Sequence, residues 1–183
     1  MKRIEITDIK TGDIILTSGT TFLAEGIQDF QEIENPDFGK FSHALIARWE
    51  GDILYATEAQ KRGICNNDFI KRYMNDEYKS IMVLKFNQPI KAGRFIQLIM
   101  PYIGNTRYDK LALIWQAIKM ITKGKIWLGE KKQNSRKFIC SEWCAFAYNL
   151  YFEEHGERIF ANESEMAPVD LALDKRFSHY LLK

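Results

Sequence analysis

The chain has 183 residues, 46% of them hydrophobic and 27% charged, with a formal net charge of +2. That size and apolar content suit one globular domain spanning residues 1–183 and exclude a disordered chain. The near-balanced charge singles out no anionic partner, so nucleic acid is not expected.

Three cysteines, an odd number without a regular framework, suit a reducing compartment better than a disulfide scaffold. Met1-Lys2-Arg3 is followed by Glu5, Asp8 and Lys10, which interrupt any signal-peptide apolar core. No run reaches the roughly 18 apolar residues of a spanning helix. The expected location is cytoplasmic.

In chain order, Thr11-Gly12-Asp13 reads as a turn and Ile14 to Thr17 as a buried strand, broken by Ser18-Gly19-Thr20. Phe22, Leu23, Gly26, Ile27 and Phe30 have helical spacing behind a Thr20 or Thr21 cap. Phe41 to Trp49 and Asp52 to Ala59 are β-compatible runs separated by Glu50-Gly51, a hairpin signal. If Glu50-Gly51 is the loop, Trp49 faces Asp52, Ala47 faces Leu54 and His43 faces Glu58. The His43 and Glu58 Cβ atoms would then lie ~4.5–5.5 Å apart, close enough for a carboxylate to hold an imidazole. A register slip of one residue would separate them.

Asp68 to Tyr73 reads as a short helix, Lys79 to Asn87 as a strand, and Ala92 to Ile103 as a helix that Pro101 kinks and Gly104-Asn105 stops. Tyr108-Asp109 opens a further helix, Leu111 to Thr122, and Lys123 to Arg136 is a basic loop. Cys140, Trp143, Cys144, Ala147, Tyr148 and Tyr151 recur at helical spacing up to His155-Gly156-Glu157. A short helix follows near Leu171, and Phe177 to Leu182 is a final strand or extended tail. Together these elements make an α+β chain, with strands concentrated before Asn87 and helices after it.

Cys140 opens its helix, where unpaired amides and the positive end of the helix dipole favour thiolate over thiol. A cysteine hydrolase needs a thiolate, an imidazole that pairs with it and shuttles a proton, and a group that orients the imidazole. Cys140, His43 and Glu58 supply one of each. Ser141, in the first turn beside the thiol, is a candidate substrate contact, and amides at this helix start could hold an oxyanion.

Plainer roles compete for the same residues: a packed cysteine, a core or edge histidine, a solvated glutamate. Cys144, one turn on, reads as core. Cys140, Cys144 and Cys65 lack the spacing of a structural zinc site, so no metal and no other cofactor is expected. His155 reads as a helix C-terminal residue and His179 as exposed. The Trp115 segment reads either as an interfacial helix, giving peripheral membrane contact, or as a core helix with snorkelling lysines. The basic stretch Lys131-Lys132 and Arg136-Lys137 reads as a solvated loop or a site for an acidic substrate group.

Thr11-Gly12-Asp13-Ile14-Ile15-Leu16, Phe41-Ser42-His43-Ala44, Thr57-Glu58-Ala59 with Gly63, Tyr108-Asp109 and Phe138-Ile139-Cys140-Ser141-Glu142 together resemble the circularly permuted branch of the papain-like NlpC superfamily. That branch also holds the relatives of lecithin:retinol acyltransferase. The order His, Glu, then Cys is the specific part. The resemblance implies a permuted papain-like fold, with an antiparallel β-sheet or half-barrel packed against a helical bundle. It makes Cys140 the nucleophile, His43 the base and later the acid, and Glu58 the orienting residue, with Tyr108 in the wall of the site. Cys-Ser-Glu at Cys140 departs from the Asn-Cys-Glu-His of the acyltransferase subgroup.

The expected activity is therefore a cysteine amidase or peptidase acting on a peptide or acyl-amide. Peptidoglycan-type peptides are the best-known substrates of the family it resembles. A lipid or N-acyl thioesterase or transferase, and a non-catalytic binding module on the same fold, are the alternatives.

Overall fold

Ile14, Ile15 and Leu16 are fully buried in strand β2 (Ile14–Thr17), which runs through a sheet covered on both faces. Successive strand side chains point to opposite faces. Ile14 and Leu16 enter a core cluster with Phe95, Ile99, Trp143, Cys144 and Tyr148, while Ile15 enters a second with Leu45, Phe69, Tyr73 and Val83. An apolar run without alternation is what burial on both faces requires.

The structure is a computed structural model that describes residues 1–19, 36–74, 80–108 and 137–183, with backbone alone at Arg107, Tyr108, Lys137 and Glu165. The helix expected after Thr20 or Thr21, the Leu111 to Thr122 helix with Trp115, and the basic loop up to Arg136 lie outside the described residues.

Within these residues the chain is α+β. Strands β1 (Lys2–Ile4), β3 (His43–Glu50), β4 (Ile53–Gln60), β5 (Gly63–Asp68), β6 (Ile81–Phe86) and β9 (Phe177–Leu182) join β2 in the order β1-β9-β6-β2-β3-β4-β5. All neighbours are antiparallel except β1 with β9. Strands β7 (Arg107–Tyr108) and β8 (Lys137–Phe138) form a separate parallel pair. Helices α2 (Ala92–Ile99) and α3 (Cys140–Glu153) supply the first core cluster, and α1 (Phe69–Tyr73) closes the second. A short helix α4 (Pro168–Leu173) precedes β9.

Several expectations are corrected. The segment Gly63–Asp68 is an additional strand, whereas the final strand expected at Phe177–Leu182 is present, inside the sheet between β1 and β6. Helix α2 ends at Ile99 and continues only as a 3₁₀ turn through Met100–Tyr102, because Pro101 has no amide to extend the α ladder. The Tyr108 backbone pairs in a strand rather than opening a helix. His179 is partly buried against Phe38, ring centroids 5.2 Å apart, and its Nε2 is sealed from solvent with no hydrogen-bond partner among the described residues.

The hairpin loop is Gly51-Asp52, not Glu50-Gly51: Glu50 pairs with Ile53 and Trp49 with Leu54. Gly51 takes φ +56°, the left-handed region that tight hairpin loops demand. Ala47 consequently faces Ala56 instead of Leu54, a shift of two residues. Side chains alternate with a period of two, so this shift keeps His43 and Glu58 on one face, as diagonal rather than direct neighbours.

Gly51→Val should therefore cost about 1–2 kcal/mol in urea unfolding, because a β-branched residue is strained at positive φ. Gly51→Asn should cost less than half as much, since asparagine visits this region more readily. Equal losses for the two variants would contradict the loop assignment.

Candidate active site

Strands β3 and β4 pair from Glu50–Ile53 to Ile46–Thr57 and then part. Beyond that point β3 continues against β2 alone, with Leu45 opposite Ile15, Ala44 opposite Leu16 and His43 opposite Thr17. Strand β4 continues against β5, with Glu58 opposite Cys65 and Gln60 opposite Gly63. The first turn of α3 lies at this fork. Its Trp143 Nε1 donates to the Thr57 carbonyl at 3.2 Å, and the backbone amide of Ala44 faces the Cys140 sulfur. Ala47, an odd position of β3, gives its amide to Asp13 on the β2 side. Even positions therefore point toward β4, and where β4 has turned away the Ala44 amide is left for the thiol.

The helix start is held by packing and by one carboxylate. Trp143, Cys144, Ala147 and Tyr148 are fully buried. The Glu142 carboxylate reaches back to accept from the Ile139 amide at 3.1 Å, which satisfies one of the orphan donors of the first turn. Tyr148 Oη donates to the Gly12 carbonyl at 2.7 Å and so ties the helix to the Thr11-Gly12-Asp13 turn.

From the other face of the sheet come the imidazole and its carboxylate. His43 Nε2 lies 2.6 Å from Glu58 Oε2, with the His43 side chain 26% exposed and that of Glu58 fully buried. Tyr73 Oη donates to the same Oε2 at 2.6 Å, and Asn67 Nδ2 donates to Oε1 at 2.8 Å. Arg72 Nε stands 3.5 Å from Oε1, and the Gln60 side chain also hydrogen-bonds the carboxylate. Burial alone would raise the Glu58 pKa. The hydrogen bond and charge of His43, then the Tyr73 hydroxyl, reverse this and hold it at about 2. An ionised carboxylate only accepts, so His43 carries its proton on Nε2 and turns Nδ1 toward Cys140.

Burial would lower the His43 pKa, but the charge and hydrogen bond of Cys140, joined by those of Glu58, raise it to about 10. Burial works against the Cys140 thiolate as well. The His43 charge and hydrogen bond, with the amides of Ala44 and Ser141, overcome it and lower the thiol pKa. Both shifts favour a thiolate–imidazolium pair, the charge state of an activated cysteine nucleophile.

The structure thus brings Cys140, His43 and Glu58 together. Ser141 is fully buried and its Oγ donates to the Met166 carbonyl at 2.5 Å, so what it offers the thiol is its backbone amide. The Tyr108 backbone pairs with Phe138, two residues before Cys140, and its side chain is outside the described residues. Cys144 is buried in the core. Among the described residues no group of three or more His, Cys, Asp or Glu side chains is placed to hold a metal ion. Sequence reading missed Tyr73, Asn67 and Gln60 around Glu58. The Asn67 signal was its position two residues from Cys65, on the face that β5 turns to Glu58; Tyr73 carried no such signal, because α1 reaches the sheet by tertiary packing.

No family profile matches the chain, and no curated protein is similar at a significant level. Among solved structures, the chain is similar to the crystal structure of the metalloprotein yiiX from Escherichia coli O157:H7, designated DUF1105. The TM-score is 0.54 at 13% identity, over 93% of this chain and 95% of that one. This likeness concerns the fold. Among the described residues, no helix is long and apolar enough to cross a membrane.

Glu58 has a folded pKa of about 2, below its ordinary 4.5. The stability it contributes is complete above the unfolded value and is lost as pH falls toward the folded one. The stability gap between the parent and Glu58→Gln should be widest at neutral pH. It should narrow by ~3 kcal/mol as acid titrates the carboxylate of the parent. Urea unfolding across that acid range checks this, and a gap that does not change with pH would contradict it.

Proposed function

We propose that the protein is a cysteine hydrolase that cleaves a peptide or acyl-amide bond through Cys140, His43 and Glu58. The observation that carries this reading is the Cys140–His43–Glu58 alignment at the β3–β4 fork, with the sulfur in hydrogen-bond contact with an imidazole that a buried carboxylate holds. A binding module on the same fold would not need Cys140 and His43 to pair. The thioesterase or transferase alternative rests on the Trp115 segment, which lies outside the described residues.

In this mechanism the Cys140 thiolate attacks the carbonyl carbon, forming the S–C bond and placing charge on the oxygen. The His43 imidazolium gives its proton to the leaving nitrogen as the C–N bond breaks, leaving an acyl-enzyme and neutral imidazole. His43 then takes a proton from water as its oxygen bonds to the acyl carbon. The C–S bond breaks, the carboxylic acid leaves, and the thiolate–imidazolium pair is restored. Glu58 keeps the imidazole in one tautomer and orientation throughout.

The sheet with α3 across one face also supports reading the chain as a permuted papain-like fold, with strands before the nucleophile helix. A peptide or other acyl-amide provides the substrate class.

The test is turnover of a panel of peptide and N-acyl anilides, with intact-mass detection of the acyl-enzyme. Cys140→Ala should abolish both adduct and turnover. His43→Ala should reduce turnover by about 10²–10⁴-fold, the usual worth of a general acid–base. Hydrolysis by purified protein that survives Cys140→Ala would overturn the assignment, as would a parent that forms no acyl adduct with any member of the panel.

A further inference from the structure

His43 and Tyr73 share one oxygen. Both His43 Nε2 and Tyr73 Oη lie 2.6 Å from Glu58 Oε2, while Asn67 takes Oε1 at 2.8 Å. Tyr73 is 2% exposed, and its ring lies nearly parallel to the imidazole, centroids 6.4 Å apart and planes 18° from each other. The direction of its hydroxyl is fixed, because Arg72 Nε donates to the phenolic oxygen at 3.4 Å and the hydroxyl hydrogen is left for Glu58. Two donors on one carboxylate oxygen divide its negative charge, so each weakens the other's hydrogen bond. A catalytic imidazolium must keep its proton while it pairs with the thiolate and then release it to the leaving group. A buried carboxylate with no other donor on that oxygen would hold the proton too firmly for the second task.

We propose that Tyr73 is a positioning residue acting through Glu58: by donating to the oxygen that receives the His43 N–H, it limits how tightly Glu58 holds the imidazolium. This inference rests on the thiolate–imidazolium reading and adds a determinant of proton release. Titratable and polar groups stand around Glu58 on each element packed against it: His43 on β3, Gln60 on β4, Cys65 and Asn67 on β5, and Arg72 and Tyr73 on α1, with Cys140 of α3 beyond His43 and Cys144 in the core behind. The hydrogen bond and charge of His43, the largest influences that keep Glu58 ionised, remain when the Tyr73 hydroxyl is removed, and Asn67 still holds Oε1, so the effect of Tyr73 is on sharing rather than on the presence of charge. The direction agrees with electrostatics: the Tyr73 hydrogen bond is among the influences that lower the Glu58 pKa.

The experiment is proton NMR of the His43 Nε2–H resonance at neutral pH, with a pH titration of the same ring. Tyr73→Phe keeps the ring in its packing place and removes the second donor. The resonance should move downfield, as the His43–Glu58 hydrogen bond strengthens, and the imidazolium should deprotonate at a pH higher by ~0.5–1. The same substitution made on Glu58→Gln should leave the ring unchanged. Introducing 3-fluorotyrosine at position 73, a stronger donor of the same shape, should move the resonance the opposite way and serves if the Phe variant does not fold. An upfield or unmoved resonance in folded Tyr73→Phe would overturn the inference while leaving the hydrolase reading intact. A parent whose His43 is neutral at pH 7 would instead overturn the ion pair on which both depend.

Discussion

A carboxylate without solvent must be ionised and fully paired or else protonated, and Glu58 is sealed completely. The protein resolves this with donors from separate parts of the chain. His43 comes from β3, Asn67 from β5, and Tyr73 with Arg72 from α1. Satisfying Glu58 thus fixes the distance between β3 and β5 across β4 and docks α1 on the same face. Removing a partner from such a buried group typically costs about 3–5 kcal/mol, which makes the arrangement a constraint on the whole sheet.

The Cys140 end of α3 meets this arrangement from the other side. Trp143 and Tyr148 bind the helix to Thr57 and Gly12 through hydrogen bonds that cross the core, so the helix cannot slide along the sheet. Its N-terminus is held where β3 and β4 part, and there a strand amide that would otherwise pair with a neighbouring strand is available to sulfur. Thiol from one face, imidazole and carboxylate from the other, meet at a break in the ladder. Placing the three side chains at a sheet fork lets a rigid scaffold hold them together without a long loop.

Much of this was legible in the sequence because it follows from short-range rules. The apolar run Ile14 to Thr17, the helical spacing from Cys140 to Tyr151, and Asp68 as the cap of α1 each carry a local signal. The choice of Cys140, His43 and Glu58 came from chemistry and from a register that set His43 directly opposite Glu58; the structure brings the three together although that pair is diagonal. The detailed register was not legible: Gly51 can occupy either position of a two-residue loop, and only the folded hairpin shows that it takes the first. Parity survived the error because the slip was even. Strand β5 was hidden by its polar run Asn66-Asn67-Asp68, which is tolerated because Asn66 and Asn67 answer Thr57 and Glu58 across the ladder. The donors on Glu58 from α1 were hidden for a more general reason. Tertiary hydrogen bonds between elements leave no periodicity in a sequence.

The central claim is that folding alone converts Cys140 into a thiolate by pairing it with a protonated His43. Its most direct measurement is the ultraviolet absorbance of thiolate as a function of pH, taken as the difference between the parent and Cys140→Ser and repeated in His43→Ala. A thiolate signal already present at neutral pH in the parent, and displaced toward the ordinary thiol range of about 8.5 in His43→Ala, is the predicted result. A signal that appears in the parent only at that ordinary thiol range, unchanged by His43→Ala, would contradict it.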